Sequence, residues 1–349
     1  MKIFRGFHHP GIARACALTI GNFDGVHRGH QAMLALVNNE AAHRGAESCV
    51  LTFEPHPRDY FARALHKPEL APARIGTLRD KLTELERCGV QQTVVLPFDA
   101  SLAAQSPHEF IDRVLVQGLG VRYVLVGDDF RFGRQRTGDY AMLDAAGKKQ
   151  GFDVARMNSY EVHGLRVSSS AVRQALGAGD MQAAARLLGR PYTISGHVVH
   201  GRKLGRELGA TEAGMGDGFR TLNLRFAHWK PAASGIFAVL VHGLAEAPLP
   251  GVANLGVRPS LDPGDVNGGR VLLETHCLQW PAALGAEGAY GKIVRVELLH
   301  KLHDELKYDG LDALTAGIAK DCADARAYFA SAQAPNHTET RRQTTRDRI

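Results

Sequence analysis

Hydrophobic positions follow two different patterns along the chain. Up to about residue 188, short apolar runs at 15–20, 48–53, 93–97, 122–126 and 152–157 alternate with amphipathic stretches. The runs have the length of buried strands, and the stretches between them keep helical spacing. Leu78, Leu82 and Leu85 share one helical face after Thr77, an N-cap residue with Asp80 three positions on. Ser106, Pro107 and Glu109 open another helix, with Phe110 and Val114 turned inward. Five strands separated by helices predict a doubly wound parallel sheet, with a ligand site at the carboxyl ends of the strands where their order reverses.

After Arg190-Pro191 the helices drop out of the pattern. Strand-like runs at 192–199, 222–226, 236–242, 251–255, 271–278 and 292–299 are separated by glycine and proline. That spacing predicts an antiparallel barrel or sandwich. One helix then closes this half, on the stripe Leu311, Leu314, Ile318, Cys322 and Ala325, running as far as Phe329. The expected domains are therefore 1–188 and 189–330, and residues 331–349 are expected to form a disordered basic tail.

Composition narrows the classes. With 349 residues, 44% hydrophobic and 22% charged, the chain has enough apolar surface for two cores. Basic residues exceed acidic ones by six, and two of that excess lie in the tail. The remainder suits small anionic ligands, and neither a nucleic-acid nor a membrane partner is expected. Five widely spaced cysteines without a CxxC pair suggest a reducing compartment. No 18-residue apolar run occurs, so a cytoplasmic protein is expected.

The chemistry-bearing motifs of the first half sit at strand exits. Gly21-Asn22-Phe23-Asp24-Gly25-Val26-His27-Arg28-Gly29-His30 follows the first run. Its spacing puts His27 and His30 on one face of a first helical turn, beside unpaired backbone N–H groups that can hold a phosphate. Thr52-Phe53-Glu54-Pro55-His56-Pro57 leaves the second run, and Gly127-Asp128-Asp129-Phe130-Arg131-Phe132-Gly133 leaves the fourth. Ser168-Ser169-Ser170-Ala171-Val172-Arg173 opens a helix with hydroxyls and an arginine, a second seat for an anion. No GxGxxG follows a strand, and GxxxxGK[ST] is absent.

These four pieces, in this order, resemble the FAD synthetase module of bacterial bifunctional riboflavin kinase/FAD synthetases, an HxGH nucleotidyltransferase. The resemblance implies that Asn22, Phe23, Gly25, His27 and His30 meet ATP, with the two histidines polarising its phosphates. It also implies that Ser168, Ser169 and Arg173 hold the β- and γ-phosphates and that Asp129 lies near the nucleotide.

In the second half, 196–209 is a strand followed by a glycine-spaced basic loop able to wrap phosphate. Leu272, Glu274 and His276 share one face of a strand, and a glutamate there can serve as a general base. Together with 252–260 and 291–293, these segments resemble the riboflavin kinase module, whose fold is a six-stranded antiparallel barrel with a C-terminal helix. The resemblance implies ATP contacts at Gly201, Gly205 and Arg206, Mg²⁺ on Thr221 and Asn223, and Glu274 as the base.

The sequence departs from the family in three places. The family's P-T-A-N becomes Arg220-Thr221-Leu222-Asn223, the stretch 210–218 is unusual, and His303 stands where an arginine is common. The implied function is synthesis of FMN from riboflavin and of FAD from FMN, with ATP as co-substrate in both steps. Two alternatives remain open: an FAD synthetase whose barrel only binds flavin, and another HxGH adenylyltransferase acting on a pyridine or pantetheine phosphate.

Overall fold

The computed structural model describes residues 1–162, 165–200, 221–225, 230–257, 271–285 and 287–333. These divide into two compact units. One holds Met1–Ser195 and returns for 230–233, and the other holds 196–225 and the residues from Ser234 on.

The first unit is built on six parallel strands, β1 (Lys2–Arg5), β2 (Ala17–Ile20), β3 (Ser48–Glu54), β4 (Gln92–Pro97), β5 (Tyr123–Gly127) and β6 (Asp153–Met157), in the spatial order β1-β4-β3-β2-β5-β6. Five strands match the predicted runs. The sixth, β1, escaped because it is an exposed edge strand: Lys-Ile-Phe-Arg has no apolar run, and Ile3 itself is exposed.

Helices cover both faces. α1 (Arg28–His43) lays Leu34, Val37 and Ala41 against one side. Across the sheet, Leu18, Leu51 and Val124 pack with Phe110, Ile111 and Val114 of the helical segment 107–119. Thr77, the predicted N-cap, and Ser106, at the predicted helix opening, both form capping boxes, and they start α3 (Leu78–Arg87) and that helical segment. α2 (Pro57–Ala64) lies between β3 and α3.

One expectation is corrected in α3. Leu85 is buried, but Leu78 and Leu82 are only half-buried, and the helix instead turns Asp80, Lys81 and Glu84 into the protein. Charged residues are seldom buried unless partnered, so this face answers to electrostatics and not to the leucine stripe.

The second unit is a closed antiparallel barrel of β9 (Tyr192–Val199), β10 (Thr221–Arg225), β11 (Gly235–His242), β12 (Leu249–Val257), β13 (Val271–Cys277) and β14 (Ile293–His303), ordered β10-β13-β12-β11-β14-β9. A small pair, β7 (Glu161–Val162) and β8 (Leu165–Arg166), belongs to the first unit. Alternation along the barrel strands buries Leu222, Leu224, Phe237, Val239, Leu273 and Thr275 on one face. On the other face Ile236, Ala238 and Val252 pack against Cys322 and Ala325 of the final helix, Leu311–Gln333. Leu311, read as part of that stripe, is exposed at the helix start. All five cysteines are free, and four of them are buried. The predicted tail beyond 333 lies outside the described residues.

Candidate active site

A cavity of about 780 Å³ opens at the carboxyl ends of β2, β3, β4 and β5, around the point where the strand order reverses. Asn22, Phe23, Asp24 and His30 line it from the loop after β2, His56 and Phe61 from the segment after β3, Asp129 and Phe130 from the exit of β5, and Ser169, Ser170 and Arg173 from α7 (Ser169–Gly177). All four motifs singled out in the first half therefore converge on one site.

The first loop is tightly constrained. Phe23 and Val26 hold positive φ values of 48° and 41°, uncommon for bulky residues and frequent at functional sites. Gly25 has φ +85°, and a Cβ there would lie 2.9 Å from Ile75. At Gly29 a Cβ would press on the His27 ring at 3.3 Å, so glycine lets the two histidine-bearing turns close.

His27 caps α1, its Nδ1 accepting from the backbone N–H of His30. The two rings stack at 3.6 Å with 17° between their planes. Only His30 reaches the cavity wall; His27 is buried behind it. Nδ1 of His30 is buried without a hydrogen-bond partner.

Burial, and then the Arg173 charge, lower the His27 pKa to about 4. Burial also puts His30 well below the ordinary imidazole range, helped by His27, Lys81 and Arg173. Both rings are therefore neutral at pH 7, and a neutral imidazole still offers one N–H to a phosphate oxygen. The helix N-terminus supplies further donors.

The serine motif divides its labour. Ser168 caps α7 by accepting from Ala171 N–H, which places it behind the wall. Ser169 donates to the Asp24 carbonyl at 3.0 Å, and Ser170 lines the cavity. Arg173 meets the Asp24 carboxylate at 2.6 Å and donates through Nε to the Ala73 carbonyl. Asp129 is exposed at the rim, and its neighbour Asp128 accepts from Ser159 and Arg166.

The barrel brings a second set together. Across three adjacent strands Asn223, Glu274 and Asn254 stand in register, so they share one face. The side-chain oxygens of Asn223 and Asn254 are both buried without a partner, and they flank the glutamate. Two strands place Thr221 beside His276 in the next pair of that register. Gly201, Gly205 and Arg206, with the departures at 210–218 and Arg220, lie outside the described residues.

Family comparison agrees with both halves. The family model for FAD synthetase matches residues 9–171, and that for riboflavin kinase matches 188–329. A protein of Escherichia coli strain K12 named bifunctional riboflavin kinase/FMN adenylyltransferase is 42% identical over 94% of this chain and 98% of its own length. One of the same name from Pseudomonas fluorescens is 43% identical over 95% of this chain and 98% of its own. The chain belongs to the bifunctional riboflavin kinase/FMN adenylyltransferase family. A solved Streptococcus pneumoniae chain described as a macrolide-efflux protein shares the fold, with TM-score 0.70 and 24% identity over 93% of this chain and 99% of that one.

Seen as a member of the riboflavin kinase/FMN adenylyltransferase family, the chain shows what sequence reasoning missed. Asp24, Ser170 and Asn254 stood inside quoted motifs without a role of their own. Register alone singles out Asn254, because it needs the β12–β13 pairing to meet Glu274. Lys81 and Arg74 lay outside every motif. Their burial is the signal, and burial of a cation is invisible until the fold is known.

Proposed function

We propose that the chain converts riboflavin to FAD in two ATP-dependent steps, with the barrel phosphorylating riboflavin and the parallel-sheet unit adenylylating FMN. The observation that carries the reading is the cavity itself. One wall is a helix N-terminus with His30 and Arg173, which suits phosphates. The other is phenylalanine: Phe53, Phe61 and Phe98 meet edge to face, and Phe130 stacks near Phe132 at 5.4 Å. An isoalloxazine ring finds flat apolar partners there.

In the adenylyl step an FMN phosphate oxygen attacks the α-phosphorus of ATP, and pyrophosphate leaves with the bridging electron pair. No protein nucleophile is required; the site aligns two anions and stabilises charge as it builds. His30 donates an N–H to that charge, Asn22 and Ser170 contribute polar groups at the wall, and Arg173 offers its guanidinium. His27 holds His30 in place.

In the kinase step Glu274 takes the proton of the ribityl 5′-hydroxyl as its oxygen attacks the γ-phosphorus of ATP, giving FMN and ADP. Mg²⁺ fits beside it: the unpartnered amide oxygen of Asn223 is a hard donor, and Thr221 lies two residues away on the same strand face. When bound, the ion neutralises charge on the transferred phosphate. The flanking amides of Asn223 and Asn254 orient the substrate hydroxyl toward Glu274. Partners in this reading are small molecules, and its five free cysteines suit the cytoplasm.

The test is incubation with riboflavin, ATP and Mg²⁺ and separation of the flavins. FMN followed by FAD is the expected outcome. FAD from supplied FMN alone would reduce the barrel to a binding module, and no flavin product would overturn the reading.

A further inference from the structure

Lys81 is 4% exposed on α3, yet it lies in no motif and has no place in either reaction as described. Its Nζ donates to Thr52 Oγ1 at 3.2 Å, and that hydroxyl donates to the carbonyl of Asn22 at 3.3 Å. The relay ends on the loop residue just before Phe23, whose positive φ needs outside support. Around it lies a set of charges in which Asp24, Asp59 and Arg74 are buried and Glu54 and Arg173 are partly exposed. Arg74 is 1% exposed and pairs with Asp59 at 2.8 Å, Glu54 at 3.6 Å and Asp24 at 3.7 Å. Arg173 pairs with Asp24 from α7. Lys81 is attracted by Glu54, Asp24 and Asp59, repelled by Arg74, and felt by His30 and His56.

Three carboxylates face three cations directly beneath the loop that meets the nucleotide. Removal of any one cation leaves a buried negative excess, which is costly in itself and repels a triphosphate. We propose that Lys81 is a positioning residue for adenylyl transfer, holding the Asn22 loop through Thr52 and completing the charge balance under the phosphate site. The proposal rests on the assignment of this cavity to ATP. It adds a residue that touches no substrate and acts through the loop and the field.

Burial lowers the Lys81 pKa to about 8, so this charge is lost just above neutrality. Wild-type kcat/KM for ATP in FAD synthesis is then expected to fall above pH 8, mainly through KM, whereas riboflavin phosphorylation lacks that limb. Lys81→Met is expected to lower kcat/KM for ATP at pH 7.5 by about tenfold or more and to abolish the alkaline limb. Thr52→Val, which keeps shape and cuts the relay, is expected to shift KM in the same direction by a smaller factor.

Wild-type kcat/KM in Lys81→Met, or an alkaline limb that persists in it, would overturn the proposal. Should Lys81→Met lose both activities through misfolding, Thr52→Val decides, and an unchanged KM there counts against it. A wrong cavity assignment reads differently: FAD synthesis would then survive His30→Ala, whatever Lys81 does.

Discussion

His27 lies face to face with His30, ring centroids 3.6 Å apart, and accepts a hydrogen bond from the backbone N–H of the residue whose ring it supports. The pair is therefore unequal: one imidazole faces the cavity and the other fixes its position. His30→Ala is expected to abolish FAD formation, losing at least about 10²–10³ in kcat, the scale of a removed transition-state donor. His27→Ala should cost less, and His27→Asn less again, because asparagine keeps the helix cap. FMN formation from riboflavin should persist in all three. Equal losses at the two positions would contradict this division.

Burial gives the same unit a particular acid response. His27 titrates at about 4 and His56 at about 3, both through burial first and nearby cations second. An unfolded histidine titrates near 6.5, so between these values the unfolded chain binds more protons than the folded one. The stabilisation is complete above pH 6.5 and drains away as pH falls toward 4 and then 3. Each histidine contributes a slope of about 1.4 kcal/mol per pH unit within its window. Calorimetry from pH 7 to 4.5 should show a falling midpoint. His56→Asn, which can keep the N-cap that His56 Nδ1 provides to Arg58 N–H, should flatten the slope by about one proton.

Legibility in the sequence followed the physics of each element. Buried strands announce themselves as apolar runs, so nine of the twelve strands of the sheet and barrel need only small boundary shifts, and β12 and β14 only extension. The exposed edge strand Lys2–Arg5 has no such run, because its stabilisation comes from pairing with β4. Motifs at strand exits marked the cavity because glycine, proline and paired polar residues reflect local backbone demands at Gly25, Gly29 and Pro57. The charge set of Asp24, Asp59, Arg74 and Lys81 is assembled from four separate segments, and no local pattern encodes it. Asn254 belongs to the same class: only strand register makes it a neighbour of Glu274.

Glu274 should separate the two activities in the opposite sense to His30. Glu274→Gln keeps the size and hydrogen-bonding capacity but removes the base, so riboflavin phosphorylation should fall by about 10²–10⁴. FAD formation from supplied FMN should be unchanged. Asn254→Ala removes one flanking amide and is expected to lower kcat for phosphorylation by about tenfold, with the final helix and barrel core intact. Retention of wild-type phosphorylation in Glu274→Gln would refute the base assignment.

Gly25 tests whether the constrained loop is needed for catalysis or merely tolerated. Alanine at this position meets two penalties: φ +85° lies where L-residues rarely go, and its Cβ would stand 2.9 Å from Ile75. Strain of this kind costs about 1–3 kcal/mol. Relief requires movement of Ile75, whose backbone N–H donates to the Asp24 carboxylate, or of the loop itself. Either movement disturbs the carboxylate that Arg173 holds at 2.6 Å. Gly25→Ala should therefore lower the thermal midpoint of the first unit and raise KM for ATP in FAD synthesis together. A variant that lost stability but kept KM would show that the loop relaxes without moving Asp24.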